Sequence, residues 1–323
     1  MRMGAALLLA FVLSAPPLNA VSGAAAAGDR LAVVSQDGGS VSVIDPHSNS
    51  VVARAQIGKG AAAIAASSDG RRLYVTYPDG GAIDVVDAET AVLVRSLPFK
   101  GEPFGIAAAP GSLYVSDWAN DRVTRLDAAS GAQTGAAAVG KSPAHIALSA
   151  DGHRLYVADR ESGDVAVIDA DRMRKIASIP TGEAPFALAL SPDGRRLYVA
   201  NVRSGDLAVI DTARSELVAR VAVGAMPYGV AATPDGAYVL VTNQHQGALS
   251  VVDAKSLALV GAIAVGRYPE GVLAGPSGLA YVANWFSGDV SVVDLARRRE
   301  IFRIKVGEGP RSFALLPDFP ARR

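Results

Sequence analysis

Residues Gly135–Ser142 spell GAAAVGKS, the spacing of a P-loop, in which successive backbone N–H groups cradle phosphates ahead of a helix N-terminus. Pro143 follows at once, where the pattern reads as the start of a strand rather than a helix. The same glycine as Gly140 recurs as Gly58, Gly182, Gly224, Gly266 and Gly307, so a repeated backbone geometry explains it and nucleotide binding is not expected. The Asp-Gly pairs at Asp69, Asp151, Asp193 and Asp235 invite a calcium reading. Calcium needs several oxygen ligands in one loop, and each pair brings a single carboxylate, so they read as turn formers. There is no G-x-S-x-G elbow and no H-E-x-x-H pair. The chain has no cysteine, which removes a thiol nucleophile, disulfides and c-type haem attachment together.

Four histidines remain. His153 falls in a turn and His47 just after a strand end, so both read as solvated. His145 and His245 belong to two loop sets expected on one face of the molecule. One set supplies Tyr77, Trp118, Arg160, Arg203, His245, Trp285 and Phe286, and the other supplies Phe104, His145, Phe186, Tyr228, Glu270 and Arg311. Both tryptophans are included, and residue types vary there while the frame around them repeats, which is where function is placed on a scaffold. The rings also suit a simple plug of a central opening. His145 and His245 come from different repeats, so a metal is not expected. Arg160, Arg203 and Arg311 are offset by Asp117, Asp159, Glu161 and Glu270, which lacks the positive track of a single-strand groove.

The frame that must position these residues is a repeat, best seen in Ser191–Gly229. The acidic residue closing each VID-like run falls at Asp45, Asp87, Asp127, Asp169, Asp211, Asp253 and Asp294, at intervals of 42, 40, 42, 42, 42 and 41 residues. A period near forty with several short strand-like runs inside it signals a propeller blade or a stacked array. Four strands are predicted per unit: LYVAN (Leu197–Asn201), GDLAVID (Gly205–Asp211), ELVARVAVG (Glu216–Gly224) and PYGVAATPDG (Pro227–Gly236). Runs such as Val165–Ile168 do not alternate with polar residues, so both faces of the sheets must be covered. Ala65, Ala107, Ala147, Ala189, Ala231 and Ala314 share one position on the fourth strand, with Leu273 the exception, and suit a crowded hub. Tyr74, Tyr114, Tyr156, Tyr198 and Tyr281 share one on the LYV strand, where a ring fills the wider gap between sheets.

After its first thirty residues the chain enters on LAVVSQ (Leu31–Gln36), a LYV-type strand lacking its predecessor, and it ends on PRSFALLPD (Pro310–Asp318), which is that predecessor. Pairing the two completes a seventh unit and leaves no unpaired edge. The prediction is an all-β, closed seven-bladed propeller of four-stranded antiparallel blades spanning residues 28–323. Residues 1–27 read as a signal peptide: Arg2, an apolar run Ala5–Ala15 too short for the roughly 20 residues of a bilayer span, and small-residue cleavage points at Ala20 or Ala27. A periplasmic or secreted location is therefore expected. Thirty-one basic and 31 acidic side chains leave no net field for a polyanion, so nucleic acid is disfavoured as a partner.

LYVTY (Leu73–Tyr77), LYVAN (Leu197–Asn201) and AYVAN (Ala280–Asn284), with the SPDG turns and VID runs, resemble the YVTN-type β-propeller repeat family of exported bacterial proteins across Leu31–Asp318. The resemblance implies the propeller fold. It spans several roles: association with DNA or cell surfaces, accessory service to quinone-cofactor-dependent oxidation and, more distantly, lactonases and haem-d1 domains. Fold does not select among them. From the residues themselves, the expected role is a non-catalytic scaffold holding a protein partner or small ligand on the ring face, with no cofactor and no catalytic residue assigned. The alternatives are a lactonase-like hydrolase, with His145, Glu270 and Arg311 as base and oxyanion stabilisers, and an accessory protein of periplasmic quinoprotein-dependent alcohol oxidation.

Overall fold

The computed structural model describes residues 30–275 and 277–316; the signal-peptide reading of residues 1–27 lies outside them. Among the described residues, 28 strands form seven four-stranded antiparallel sheets. We number the blades by their innermost strands: Pro310–Leu316 (blade 1), Ile64–Ala66 (blade 2), Pro103–Ala109 (blade 3), Pro143–Leu148 (blade 4), Pro185–Leu190 (blade 5), Pro227–Ala232 (blade 6) and Pro269–Ala274 (blade 7). Blade 1 is the composite one. Pro310–Leu316 pairs with Arg30–Ser35, setting Ala314 opposite Ala32 and Leu315 opposite Leu31, and Ser40–Asp45 and Ser50–Gln56 follow outward. The ring closes by this pairing, as predicted.

The core is divided among the gaps between blades rather than gathered in one place. Tyr156 of blade 4 packs with Leu197 and Val199 of blade 5, and Tyr281 of blade 7 with Leu31 and Val33 of blade 1. Each tyrosine lies across the ladder from the hub residue: Ala65 opposite Tyr74, Ala107 opposite Tyr114, Ala147 opposite Tyr156, Ala189 opposite Tyr198 and Leu273 opposite Tyr281. Small at the hub and large outside it is the taper a wheel of twisted sheets requires.

The seven VID aspartates act locally. Each carboxylate accepts a backbone N–H two or three residues on, from His47, Thr90, Ser130, Arg172, Arg214, Ser256 and Arg297. Asp69, Asp151, Asp193 and Asp235 hold their turns in the same way, each with a Ser or Thr hydroxyl two residues earlier. These are Asx-type turns.

Hydroxyls tie the hub together. Thr242 Oγ1 accepts from Gly229 N (2.7 Å) and donates to the Glu270 carbonyl of the next blade (2.6 Å). Ser116 does the same between Gly105 and Ala144. A Cβ on Gly229 or Gly105 would collide with those same carbonyl oxygens, so adjacent inner strands approach at glycine.

Candidate binding face at the ring mouth

The LYV strands end, on one face, at Ser35, Tyr77, Asp117, Asp159, Asn201, Asn243 and Asn284. These side chains are buried beneath the loop glycines. A Cβ on Gly101, Gly140, Gly182, Gly224 or Gly266 would meet Asp117, Asp159, Asn201, Asn243 or Asn284 respectively. That contact explains the recurring glycine of the P-loop-like motif. Its N–H groups are already engaged: Gly140 N donates to Asp159 Oδ2 (2.7 Å), Lys141 N to Ser162 Oγ (2.6 Å) and Ser142 N to Asp121 Oδ1 (2.9 Å). A strand follows, so no phosphate cradle forms.

The structure corrects two register assignments. Tyr77 is itself a strand-end residue, buried against Gly58 between blades 1 and 2, not a rim residue. The position after the strand end holds Gln36, Pro78, Trp118, Arg160, Val202, Gln244 and Trp285, while Arg203, His245 and Phe286 lie one residue further. On the inner strands, the residue after the leading proline is Phe104, Ala144, Phe186, Tyr228, Glu270 or Arg311, with Ala62 in blade 2. His145 therefore occupies the next slot, where blades 3, 6 and 7 carry Gly105, Gly229 and Gly271. Loops hide such one-residue slips because their backbone follows no fixed period.

The two loop sets are bonded to each other. Trp285 N donates to Tyr268 O, Gln244 N to Met226 O, Arg160 N to Ser142 O and Gln36 N to Gly309 O. The accepting residues Ser142, Met226 and Tyr268 sit at φ +52° to +58°, a left-handed conformation that the paired loops hold in place.

Arg311 organises the mouth. Its guanidinium reaches across to Tyr228 Oη (2.7 Å) and to Gln36 Oε1 (3.0 Å), lies 3.3 Å from Glu270 Oε2 and stands 5.5 Å over the Phe104 ring. Rings continue outward: Tyr228 to Phe186 at 4.2 Å, Phe186 to His145 at 5.0 Å and Phe104 to Trp118 at 4.9 Å. On the other side, Gln36 Oε1 also accepts from Trp285 Nε1 (3.3 Å), and Trp285, Phe286 and Tyr268 form a second ring cluster next to His245. One chain of contacts thus links both tryptophans. Arg203 forms a bidentate pair with Glu161, which Arg160 also contacts, on the rim of blades 4 and 5.

Burial and the Arg311 charge press the His145 imidazole down to about 4, so it is neutral at physiological pH. Burial raises the Glu270 carboxyl to about 7 against the pull of Arg311, while Gln244 Nε2 donates to its Oε1 (3.1 Å). Burial also raises the Tyr228 phenol. Four of these partners, Gln36, Gln244, Met226 and Tyr268, are absent from the sequence-based set; the signal for Gln36 and Gln244 was their place one residue past a LYV-type strand. His145 and His245 belong to separate ring clusters, and among the described residues no three His, Asp or Glu side chains gather to hold a metal.

The fold and this mouth define a seven-bladed β-propeller whose central opening is closed by rings and an arginine. The profile of the cytochrome D1 heme domain family matches residues 151–277. Among solved structures, the chain is similar to hydrazine synthase of Kuenenia stuttgartiensis, at 25% identity and TM-score 0.73 over 80% of this chain and 90% of that one. It is also similar to a functionally unknown protein of Desulfotomaculum acetoxidans, at 14% identity and TM-score 0.78 over 90% of this chain and 100% of that one. A third similarity is to the dihydro-heme d1 dehydrogenase NirN in complex with DHE, at 17% identity and TM-score 0.66 over 88% and 74% of the two chains. No curated protein matches in sequence. A haem does not fit the mouth as its side chains stand: Phe104, Phe186, Tyr228 and Arg311 fill it, and the cavity at the mouth measures about 160 Å³. Sites for molecules of cofactor size begin at roughly 300 Å³.

Proposed function

We propose that this chain is an exported, non-catalytic propeller of the YVTN repeat type that holds a protein partner on its ring-mouth face. The observation that carries this reading is the continuity of the rim. Exposed Phe286 (56%) packs on Trp285 and Tyr268, and Gln36 and Arg311 fix that cluster to the plug. Rigid aromatic anchors are among the residues that dominate protein interfaces. Export rests on the pattern of residues 1–27. The test is co-purification from periplasmic extract with the wild-type chain and with Phe286→Ala, Trp285→Ala and Arg203→Ala. Partners lost with the first two variants are expected; equal recovery of every partner refutes the assignment of the face.

A second reading, a lactonase-like hydrolase, has one observation in its favour: His145, Tyr228, Glu270 and Arg311 line the same cavity. Titratable groups shifted from their ordinary range in one pocket mark candidate sites. Hydrolysis of a lactone panel by purified chain, lost in Glu270→Gln, would support it; no turnover on any member excludes it.

A further inference from the structure

Arg311 stands between two carboxylates, one buried and one at the surface. Glu270 is 5% exposed, and its Oε2 lies 3.3 Å from Arg311 Nε. Asp37 is exposed on the loop after Arg30–Ser35, which is held in place by Gln36 N donating to Gly309 O and Gly38 N to Glu308 O. Asp37 Oδ2 and Trp285 Nε1 both come within 3.0 Å of the point that a Cβ on Gly309 would occupy, two residues before Arg311. The Asp37 charge acts on Arg311 and on Glu270 alike. Gln36, the chain neighbour of Asp37, is the present partner: its Oε1 accepts from Arg311 Nη1 (3.0 Å) and from Trp285 Nε1 (3.3 Å).

Glu270 has a partner for each of its protonation states. Gln244 Nε2 donates to Glu270 Oε1 (3.1 Å), as a carboxylate requires. Gln244 Oε1 is buried and without a hydrogen-bond partner, so a half-turn of that amide presents an acceptor to a Glu270 O–H instead. Burial favours the acid and Arg311 favours the carboxylate, and the two come close to balance at neutral pH. The other groups facing this point are His145 of blade 4, neutral here, Tyr228 of blade 6, whose phenol burial keeps protonated, and Asp37; the Arg160 charge also acts on Tyr228.

Protonation of Glu270 changes the standing of Arg311. A buried guanidinium without a counter-charge is costly, and Tyr228 Oη and Gln36 Oε1 offer it dipoles only. Asp37 offers a full charge beside water. A guanidinium brought over Gly309 crowds Trp285 Nε1, so the indole must give up Gln36.

We propose that Arg311 is a proton-operated latch. With Glu270 ionised it holds Gln36, and through Gln36 the Trp285 cluster, in the arrangement described above; with Glu270 protonated it turns to Asp37 and releases that cluster. The consequence for a partner rests on the face proposed above, whereas the latch itself does not.

The indole N–H signal of Trp285, followed by proton–nitrogen NMR of the full folded chain from about pH 5.5 to 8.5, tests the latch with no partner present. Trp118→Phe leaves one indole signal and so assigns it. The signal is expected to move with a single midpoint at about 7. Glu270→Gln, neutral at every pH, should fix it at its low-pH position. Asp37→Asn, at an exposed site, should keep it at its high-pH position down to about pH 6, and His245→Asn, beside Tyr268, should leave the midpoint unchanged. A signal that does not move, that still titrates in Glu270→Gln, or that stops titrating in His245→Asn overturns the latch. Recovery of partners from periplasmic extract at pH 6 and 8 is read separately. Loss at pH 6 in the wild type, and at both values in Glu270→Gln, is expected; equal recovery beside a moving indole overturns the link to the partner face and leaves the latch.

Discussion

Asp159 is the residue whose replacement reports most directly on how the rim is built. Its position on the LYV strand carries asparagine in blades 5, 6 and 7, and in blades 5 and 7 the amide donates to the start of the next strand outward: Asn201 Nδ2 to Asp206 (2.7 Å) and Asn284 Nδ2 to Asp289 (2.9 Å). In blade 4 the residue is an acid, fully buried and directly opposite Asp164 in the ladder. One oxygen of each carboxyl lacks a hydrogen-bond partner. Burial first, and the Asp164 charge as well, push Asp159 up to about 8, although Gly140 N donates to it. An unfolded aspartic acid titrates near 4, so between about pH 4 and 8 the folded state holds a proton that the unfolded state has released. Stability therefore falls as pH rises across that window. Each unit is worth about 1.4 kcal/mol, so at pH 7 the buried acid costs on the order of 4 kcal/mol relative to a neutral side chain of the same shape. Asp159→Asn should stabilise the chain by on the order of 2 to 4 kcal/mol at pH 7, with Nδ2 donating to Asp164 as in blade 5, and by nothing at pH 4. Urea denaturation at half-unit steps from pH 4 to 9 measures this. Parallel pH curves for wild type and variant would refute the protonated-pair reasoning; a variant less stable at every pH would show that Gly140 N needs the acid.

Two further outcomes follow from the hub. Thr242→Val keeps the side-chain shape but leaves Gly229 N and the Glu270 carbonyl without the bridging hydroxyl, so urea unfolding should show a loss of about 1 to 3 kcal/mol. Removal of residues 310–323 takes away the strand that pairs with Arg30–Ser35 and exposes that strand's edge; the chain should lose its single cooperative transition and self-associate on size exclusion. A monomer with an unchanged melt would mean that closure contributes little.

Much of the fold was legible because its determinants are local and repeated. A turn aspartate every forty or so residues, alanine at one slot and tyrosine across from it, and a strand missing at one terminus and present at the other were sufficient for seven closed blades. The candidate face was legible only as a neighbourhood. Sequence named Trp118, Phe186, Tyr228, Glu270, Trp285 and Arg311, yet it misplaced Tyr77, set His145 one slot early and omitted Gln36 and Gln244. Those errors arise in loops, where no period fixes the direction of a side chain. That Arg311 meets Tyr228 and Gln36, residues 83 and 275 positions away, depends on the turn from each blade to the next and on the final strand pairing. Closure of the ring sets both, and no single repeat encodes it.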